Sequence, residues 1–325
     1  MFAFPPQFAQ LSTRLRARFR PQARDMGWRA LVREGEALCL WEVSPGIPAG
    51  AGGEGVRPQL LRHVLTPDGQ AAALAAQLCR IVPLAGPYVF LLNPADYQWL
   101  QVDTPPVPDE ELHGALGWQI RENLLQPLED THYDVLPMPA SGRGRPPAVV
   151  VAAARSLLQT EIQAFQRARI AIQAVDVPEM ALRNLAALHE APPRGLALLH
   201  FDEHGGMLVI SHGGELVMAR RLDVRVAQWP AEGEARWGRL ERLGLELQRS
   251  LDHFDRQFSQ IPLSRLLVSV ASGNADLVEY LASNLYLPVE ALDLTRVIDG
   301  LEHLETPPSQ TGILGIGAAL REAAP

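Results

Sequence analysis

Apolar and polar positions alternate along the first half of the chain in a rhythm of short strands and helices. Two apolar runs flank the polar turn 33–36 and predict a β-hairpin over 28–43. Helices are expected over 68–79, over 110–124 with Asp109 as its N-cap, and over 156–169. The remaining apolar runs predict strands over 88–92, 97–102, 131–136, 148–154 and 170–177. Strands alternating with helices in this way indicate an α/β architecture.

Proline and glycine cluster at 191–195 and mark an internal boundary, after which the pattern changes. Three apolar runs joined by glycine-containing turns predict a meander over 196–222. From Trp237 to Phe258, apolar residues recur every three or four positions, which is typical of a helix with one buried stripe. Further on, we expect a strand over 266–270, a helix, a short strand over 287–290 and a final helix over 312–320.

Composition indicates a soluble globular protein with two domains, since 325 residues with 47% hydrophobic content suffice for two cores. Cys39 and Cys79 both lie in apolar runs, so we expect buried free thiols in a reducing compartment. The sequence has no apolar run of the roughly 20 residues that a bilayer span needs, and no apolar signal core. These features predict a cytoplasmic protein.

Charge is distributed unevenly along the chain. Residues 1–24 contain five arginines and no acid, so that a net charge of −8 over the whole chain leaves −13 on the remainder. Phenylalanine and leucine accompany those arginines, so this N-terminal arm is either a basic amphipathic segment on an anionic membrane surface or a solvated arm. A second basic turn, at 143–145, is interpreted as an exposed hairpin tip, because an acidic body without interleaved aromatic residues argues against nucleic acid.

Three segments, in their order and spacing, resemble the PilM family of actin-like pilus-assembly proteins, and especially its MshI-type relatives of the mannose-sensitive-haemagglutinin (MSHA) pilus. They are 120–130 with the following Tyr133 and Asp134, 151–155 through 174–179, and 245–254 with the terminal 312–320. The resemblance covers roughly 88–321 and implies an actin-like, ribonuclease H-like fold. Together with the charge pattern of the N-terminus and the boundary at 191–195, it divides the chain into an arm (1–25), a first lobe (26–190) with a subdomain inserted at about 88–154, a second lobe (191–310) and a C-terminal helix (311–325) that returns to the first lobe.

The resemblance also implies a nucleotide cleft between the lobes, which would hold ATP and Mg²⁺. Asp202 matches the position of a carboxylate that orients hydrated Mg²⁺, Gly205 and Gly206 match a phosphate turn, and Gly273 lies in the counterpart of an adenosine loop. However, His204 replaces an expected glycine, and Arg33 is the one cation near the first hairpin's turn, which has no aspartate or lysine. We therefore expect a degenerate nucleotide site with no catalytic residue and no resident metal.

Two further clusters of polar residues have alternative interpretations. His200, Asp202 and His204 alternate along a strand and can either converge on a transition metal or end the strand as ordinary polar residues. Asp176 and Glu179 offer a catalytic carboxylate at the crossover between lobes, or simply cap the next helix at Pro178. The sequence contains no Walker loop, no Gly-x-Ser-x-Gly motif and no Cys-His catalytic signature.

The function implied by the resemblance is that of a cytoplasmic scaffold, peripheral to the inner membrane, in an MSHA-type type IV pilus system. In that family the first lobe and its inserted subdomain hold an extended peptide from the cytoplasmic tail of a PilN-like membrane partner. The candidate contact residues are Arg121, Glu122 and Tyr133. The alternatives are an active Mg-ATP-binding ATPase of pilus assembly and the cytoplasmic part of a type II secretion component.

Overall fold

The computed structural model describes residues 27–44, 46, 57–78, 80, 86–139 and 146–321. Its strands are β1 Arg29–Glu34, β2 Ala37–Ser44, β3 Gln59–Thr66, β4 Tyr88–Leu91, β5 Tyr97–Val102, β6 Thr131–Pro137, β7 Ala148–Ala154, β8 Ile172–Asp176, β9 Gly195–Phe201, β10 Gly206–His212, β11 Glu215–Leu222, β12 Leu263–Ser269 and β13 Val289–Ala291. Its α-helices are α1 Ala71–Leu78, α2 Asp109–Ile120, α3 Arg155–Arg167, α4 Pro178–His189, α5 Glu234–Gln257, α6 Ala275–Asn284 and α7 Gln310–Ala319.

Two five-stranded sheets repeat one topology. The first has the order β3-β2-β1-β4-β8 and the second the order β11-β10-β9-β12-β13. In each sheet, the first three strands along the chain pair in antiparallel fashion. The other two strands run parallel to the first of these three. Each sheet is the core of one lobe.

Helices α4 and α7 lie between the two lobes and join them. Asn184 of α4 donates a hydrogen bond of 2.8 Å to the carbonyl oxygen of Gly317 in α7. A Cβ atom at Gly317 would lie 2.3 Å from the carbonyl oxygen of Ala181, so the crossing requires glycine. Side chains of both lobes, including Leu31 and Val209, belong to one continuous buried core around these helices.

The third sheet, with the order β5-β7-β6, is antiparallel and forms the inserted subdomain with α2. Leu116 and Ile120 of α2 pack against Ala148 and Val150 of β7 to make a small separate core. Alternate residues of β7, such as Val149, face the other way and join the main core. The subdomain is therefore anchored to the first lobe through one face of its sheet.

The structure confirms the predicted strands and helices to within a few residues at their ends, with three further differences. Strand β3 was not predicted, because its residues are mostly exposed or half-buried at the edge of the sheet. Helix α2 ends at Ile120 and is followed by a 3₁₀ turn, Arg121–Asn123, instead of continuing to 124. The predicted N-cap was wrong: Pro108, with ψ of 153°, occupies that position because its carbonyl oxygen accepts the hydrogen bond from the N–H of Glu111, and Asp109 is the first helical residue.

Several predictions concern residues whose structure is not described. The N-terminal arm, Cys79 and the basic turn at 143–145 all lie outside the described residues. Cys39 is a buried free thiol, as predicted, and burial raises the pKa of this thiol to about 12. Among the helices of the described ranges, none combines the length and the apolar content of a bilayer-spanning segment.

Candidate functional site: the cleft between the lobes and the end of helix α2

Asp202 follows β9 and closes the turn that leads into β10. Its Oδ1 accepts hydrogen bonds from the backbone N–H groups of His204, at 2.8 Å, and Gly205, at 3.0 Å. Burial raises the pKa of this carboxyl, while the two N–H donors act in the opposite direction. Asp202 therefore has a local partner for one carboxylate oxygen and works as the organiser of its own turn.

Gly205 and Gly206 are explained by close packing of the same turn. Gly205 has φ of +147°, and a Cβ atom there would lie 2.8 Å from the carbonyl oxygen of Leu222. A Cβ atom at Gly206 would lie 2.9 Å from the ring of Phe201. Glycine at these positions is thus explained by close backbone packing at Gly205 and by the ring of Phe201 at Gly206, whether or not a phosphate group binds here.

The possible metal ligands around Asp202 go to different partners. His200 is buried, its Nδ1 lies 3.0 Å from Ser269 Oγ, and burial lowers the pKa of this imidazole to about 3. His204 lies beside Glu203, with the two side chains 3.6 Å apart. Within the described ranges, no three histidine, cysteine, aspartate or glutamate side chains are grouped so that they can hold a metal ion. The three side chains therefore have separate surroundings in this structure.

On the first-lobe side of the cleft, Arg33 at the end of β1 is held by its own lobe. Its Nη2 and Nε donate to the two carboxylate oxygens of Glu161 in α3, at 2.7 Å and 3.1 Å. Its Nη1 donates to the carbonyl oxygen of Gly69 at 3.2 Å. The one cation of the first hairpin's turn is therefore part of a bidentate ion pair within the first lobe.

Gly273 lies on a pocket of about 410 Å³ between the start of α5 and the loop that follows β12. Trp237 and Leu240 of α5 contribute apolar surface to this pocket. Arg236 and Asp276 form a bidentate ion pair in its wall, with Nη2 and Oδ1 at 2.7 Å. The volume falls in the range of small-molecule sites, which is about 300–1,000 Å³. Because β12 runs parallel to β9 with Ser269 opposite His200, the loop that contains Gly273 follows the same edge of the sheet as the Asp202 turn, and Gly273 lines an open depression there.

The interpretation of Asp176 and Glu179 as helix caps was wrong. The N-cap of α4 is Val177, which makes no side-chain cap. Glu179 is buried and accepts hydrogen bonds from the Tyr97 hydroxyl and the Arg221 guanidinium, while Asp176 pairs with Arg321. Both acids make ion pairs between elements that are distant in sequence, and burial raises the pKa of Glu179.

The candidate partner-binding residues fall into two places. Arg121 and Glu122 are exposed in the 3₁₀ turn after α2. Tyr133 packs under α2 instead: its ring stacks on His113 with 4.3 Å between centroids, and its hydroxyl donates to the carbonyl oxygen of His113. The structure therefore places two of the three side chains on one surface and gives the third a role inside the subdomain.

Beside Arg121, sequence reasoning missed two large exposed apolar side chains. Trp118 is 69% exposed, and Leu125 is 85% exposed. The guanidinium of Arg121 lies over the Trp118 ring, 5.6 Å from its centroid. The spacing of Leu112, Leu116 and Ile120 defines the buried stripe of α2 and excludes position 118, so the signal was present in the sequence.

We call Trp118, Arg121, Glu122 and Leu125 the α2-end surface. Its loop is fixed by Gln98 of β5, whose side chain donates to the carbonyl oxygen of Asn123 at 2.9 Å and accepts from the N–H of Leu125 at 2.8 Å. The amide thus holds the backbone on both sides of Leu124. Because the loop is ordered by these two bonds, Leu125 is presented to solvent from a fixed backbone.

In comparisons with known proteins, no family model and no curated protein matches the chain. A solved structure described as the PilM-PilN type IV pilus biogenesis complex is 21% identical, covers 93% of this chain and 100% of that chain, and superposes with a TM-score of 0.64. A Bacteroides thetaiotaomicron protein described as having an actin-like ATPase fold is 8% identical, covers 86% and 94%, and has a TM-score of 0.48. The cytoplasmic domain of EpsL, an inner-membrane component of the Vibrio cholerae type II secretion system, is 14% identical, covers 91% and 96%, and has a TM-score of 0.44.

The similarity to the first of these structures extends over nearly the whole of both chains. It therefore includes both five-stranded sheets of this chain. The predicted fold class is therefore confirmed: this chain has a PilM-like, actin-like fold of two lobes with an inserted α/β subdomain.

Proposed function

We propose that this protein is a scaffold of type IV pilus assembly that binds the cytoplasmic N-terminal tail of a PilN-like membrane protein. The observation that carries the proposal is the match, over 93% of this chain, to the protein fold of a PilM-PilN complex. The finer assignment, an MshI-type component of an MSHA pilus that lies in the cytoplasm against the inner membrane, rests on the sequence resemblance. We retain it as part of the same proposal.

The α2-end surface is the contact site that we propose for the partner. Tryptophan and arginine are enriched among the residues that dominate binding energy in protein interfaces. Trp118 and Arg121 already lie against each other, and Leu125 sits on a loop fixed by Gln98, so little side-chain and loop ordering is needed on binding. Tyr133 contributes by holding α2 in position through His113.

In this proposal the cleft is a degenerate nucleotide site. Two charged groups that would face a triphosphate already have partners: Asp202 accepts from its own turn, and Arg33 pairs with Glu161. Catalysis of phosphoryl transfer depends on positioning and on compensation of phosphate charge, and these groups are committed elsewhere.

A second candidate function, binding of Mg-ATP, is favoured by one observation. The pocket of about 410 Å³ beside Gly273 lies on the second lobe, where the resemblance places an adenosine loop. In that case Asp202, Gly205 and Gly206 would contact the metal and the phosphates. Calorimetric titration with Mg-ATP distinguishes the two candidates, because the scaffold proposal expects no saturable heat.

The scaffold proposal is tested by titrating the purified protein into a fluorescent peptide that carries the cytoplasmic tail of the PilN-like protein from the same genome. We expect saturable binding by fluorescence anisotropy. Replacing Trp118 by Ala should weaken it by about 30-fold, which corresponds to about 2 kcal/mol. The matched control is Trp237→Ala, which removes a tryptophan of similar exposure (58%) from the second lobe and should leave the affinity unchanged.

Failure of the peptide to bind at high micromolar concentration would count against the scaffold function itself. Binding that is equally tight in the wild type, Trp118→Ala and Trp237→Ala proteins would leave the function standing and move the contact away from the α2-end surface. If Trp118→Ala does weaken binding, Arg121→Glu measured at low and high salt separates apolar from electrostatic recognition, because only electrostatic attraction depends strongly on salt.

A further inference from the structure

Arg221, near the end of β11 in the second lobe, reaches into three other parts of the molecule. Its Nε and Nη2 lie 3.2 Å and 3.1 Å from Oε1 of Glu179, at the start of α4. Its Nη1 donates to the carbonyl oxygen of Pro94, in the loop between β4 and β5, at 3.0 Å. Its guanidinium also lies over the ring of Tyr97, 4.5 Å from the centroid.

Glu179 is the buried centre of this cluster. Its side chain is 1% exposed, and its two oxygens are shared between the guanidinium of Arg221 and the hydroxyl of Tyr97. Burial raises the pKa of Glu179 while Arg221 counteracts this shift, and burial next to a carboxylate raises the pKa of Tyr97 well above its ordinary value. A buried carboxylate that loses its cation is left uncompensated, so each member constrains the positions of the others.

The cluster also lies beside the turn that lines the cleft. In the antiparallel ladder, Arg221 is opposite Met207 and Leu222 is opposite Gly206. The Cα of Gly205 is so close to the carbonyl oxygen of Leu222 that a Cβ atom there would lie 2.8 Å from it. A displacement of Arg221 would therefore move the end of β11 and the Asp202 turn together.

We infer that Arg221, Glu179 and Tyr97 form an interlobe latch that holds the second lobe in a fixed orientation against the first lobe and the inserted subdomain. The members come from β11, from the crossover helix α4 and from the first strand of the subdomain. The shared core around α4 and α7 keeps the lobes attached, and the latch sets the angle between them at the mouth of the cleft. The inference is independent of which partner or nucleotide the protein binds.

The test measures the distance between the subdomain and the second lobe. Spin labels are attached to cysteines introduced by Glu110→Cys on α2 and Glu241→Cys on α5, two exposed sites, with Cys79 replaced by serine and buried Cys39 left in place. Double electron-electron resonance then gives the distribution of distances. In the Arg221→Met variant we expect a mean shift of more than about 2 Å, or a clear broadening, which is the scale of domain rearrangements.

Two further variants separate orientation from stability. Arg220→Gln removes the neighbouring guanidinium, which faces Glu246 at 3.6 Å on the outer surface, and should give the wild-type distribution. The double variant Glu179→Gln/Arg221→Met removes the stranded buried charge and should still show the altered distribution, even if Arg221→Met alone folds poorly. Wild-type distributions in Arg221→Met and in the double variant would overturn the latch, and so would an Arg220→Gln distribution equal to that of Arg221→Met.

Discussion

The cleft between the lobes and the α2-end surface differ in how their functional groups are satisfied. In the cleft, Arg33, Asp202 and Glu179 each have partners within the chain, and His200 is buried against Ser269. On the α2-end surface, Trp118 and Leu125 are large apolar side chains that stay mostly in water. Isolated exposed apolar residues are ordinary on protein surfaces, but a tryptophan at the end of a helix with an arginine over its ring, followed by a loop that exposes a leucine, has the composition of a binding site.

Under the proposed function, an actin-like fold keeps its shape while the partner binds outside the cleft between the lobes. Breaking a buried ion pair leaves an uncompensated charge, so a ligand that binds in the cleft must compete with the pairs already present there. The α2-end surface has no such competition, since binding there covers apolar surface that is otherwise exposed. The following predictions test the two sides of this comparison.

The largest effect is expected at the floor of the cleft, at His200. The folded-state pKa of about 3 lies below the ordinary value of 6.5, so between these values the unfolded chain binds a proton that the folded chain does not. The free energy of unfolding therefore falls as the pH falls. At about 1.4 kcal/mol per pH unit, His200 should remove about 3 kcal/mol between pH 6.5 and 4.

Urea unfolding at a series of pH values measures this loss. His200→Gln should reduce the slope of stability against pH in this window, whereas His303→Gln, at a side chain that is 82% exposed, should leave it unchanged. If the free energy of unfolding has the same slope against pH in the wild type and in His200→Gln, the imidazole is accessible to water. The floor of the cleft would then be exposed in the way that the α2-end surface is.

A smaller effect is expected at Arg33. Arg33→Met removes two charge-assisted hydrogen bonds to Glu161, and since both side chains are partly exposed, the free energy of unfolding should fall by about 2 kcal/mol. Arg296→Met, which removes a surface ion pair with Asp293 at a side chain 73% exposed, should cost about 0.5 kcal/mol or less.

Thermal unfolding of the wild type and of Arg33→Met, with and without Mg-ATP, sharpens the test. If Mg-ATP raises the Tm of the wild type but not that of Arg33→Met, phosphate competes with Glu161 for Arg33. That result would contradict the view that Arg33 is committed to its partner in the chain.

Much of the fold was predictable because its elements have strong periodicity. The apolar strands β7 and β9 and the striped helix α5 lie close to their predicted bounds. Strand β3 was missed because an edge strand with Leu61 and Leu65 each 48% exposed does not have the buried face that distinguishes a strand in sequence.

The candidate site was less predictable because its partners are far apart in the chain. Arg33 and Glu161 are separated by 128 residues and Arg221 and Glu179 by 42, and no local pattern links either pair. Glu179 instead matched a local pattern, an acid in the first turn of a helix, and that pattern gave the wrong interpretation. Trp118 was accessible to sequence reasoning, since it falls on the polar side of α2.

The smallest effect is expected at Asp202, and it distinguishes a structural carboxylate from a metal ligand. Asp202→Ala removes the acceptor for two backbone N–H groups and should lower the free energy of unfolding by about 1 kcal/mol, as the loss of a capping side chain does. Asp202→Asn keeps an oxygen that can accept the same bonds and removes only the charge, so its unfolding temperature should lie near that of the wild type.

A carboxylate that binds Mg²⁺ would behave differently, because Asp202→Asn and Asp202→Ala would both abolish Mg-dependent ATP binding in calorimetry. If Asp202→Asn and Asp202→Ala both abolish ATP binding in calorimetry, the charge of Asp202 is required and the cleft binds nucleotide. If Asp202→Asn unfolds at the wild-type temperature and Asp202→Ala at a lower one, the side chain stabilises its own turn, and binding by this protein is to be sought at the α2-end surface.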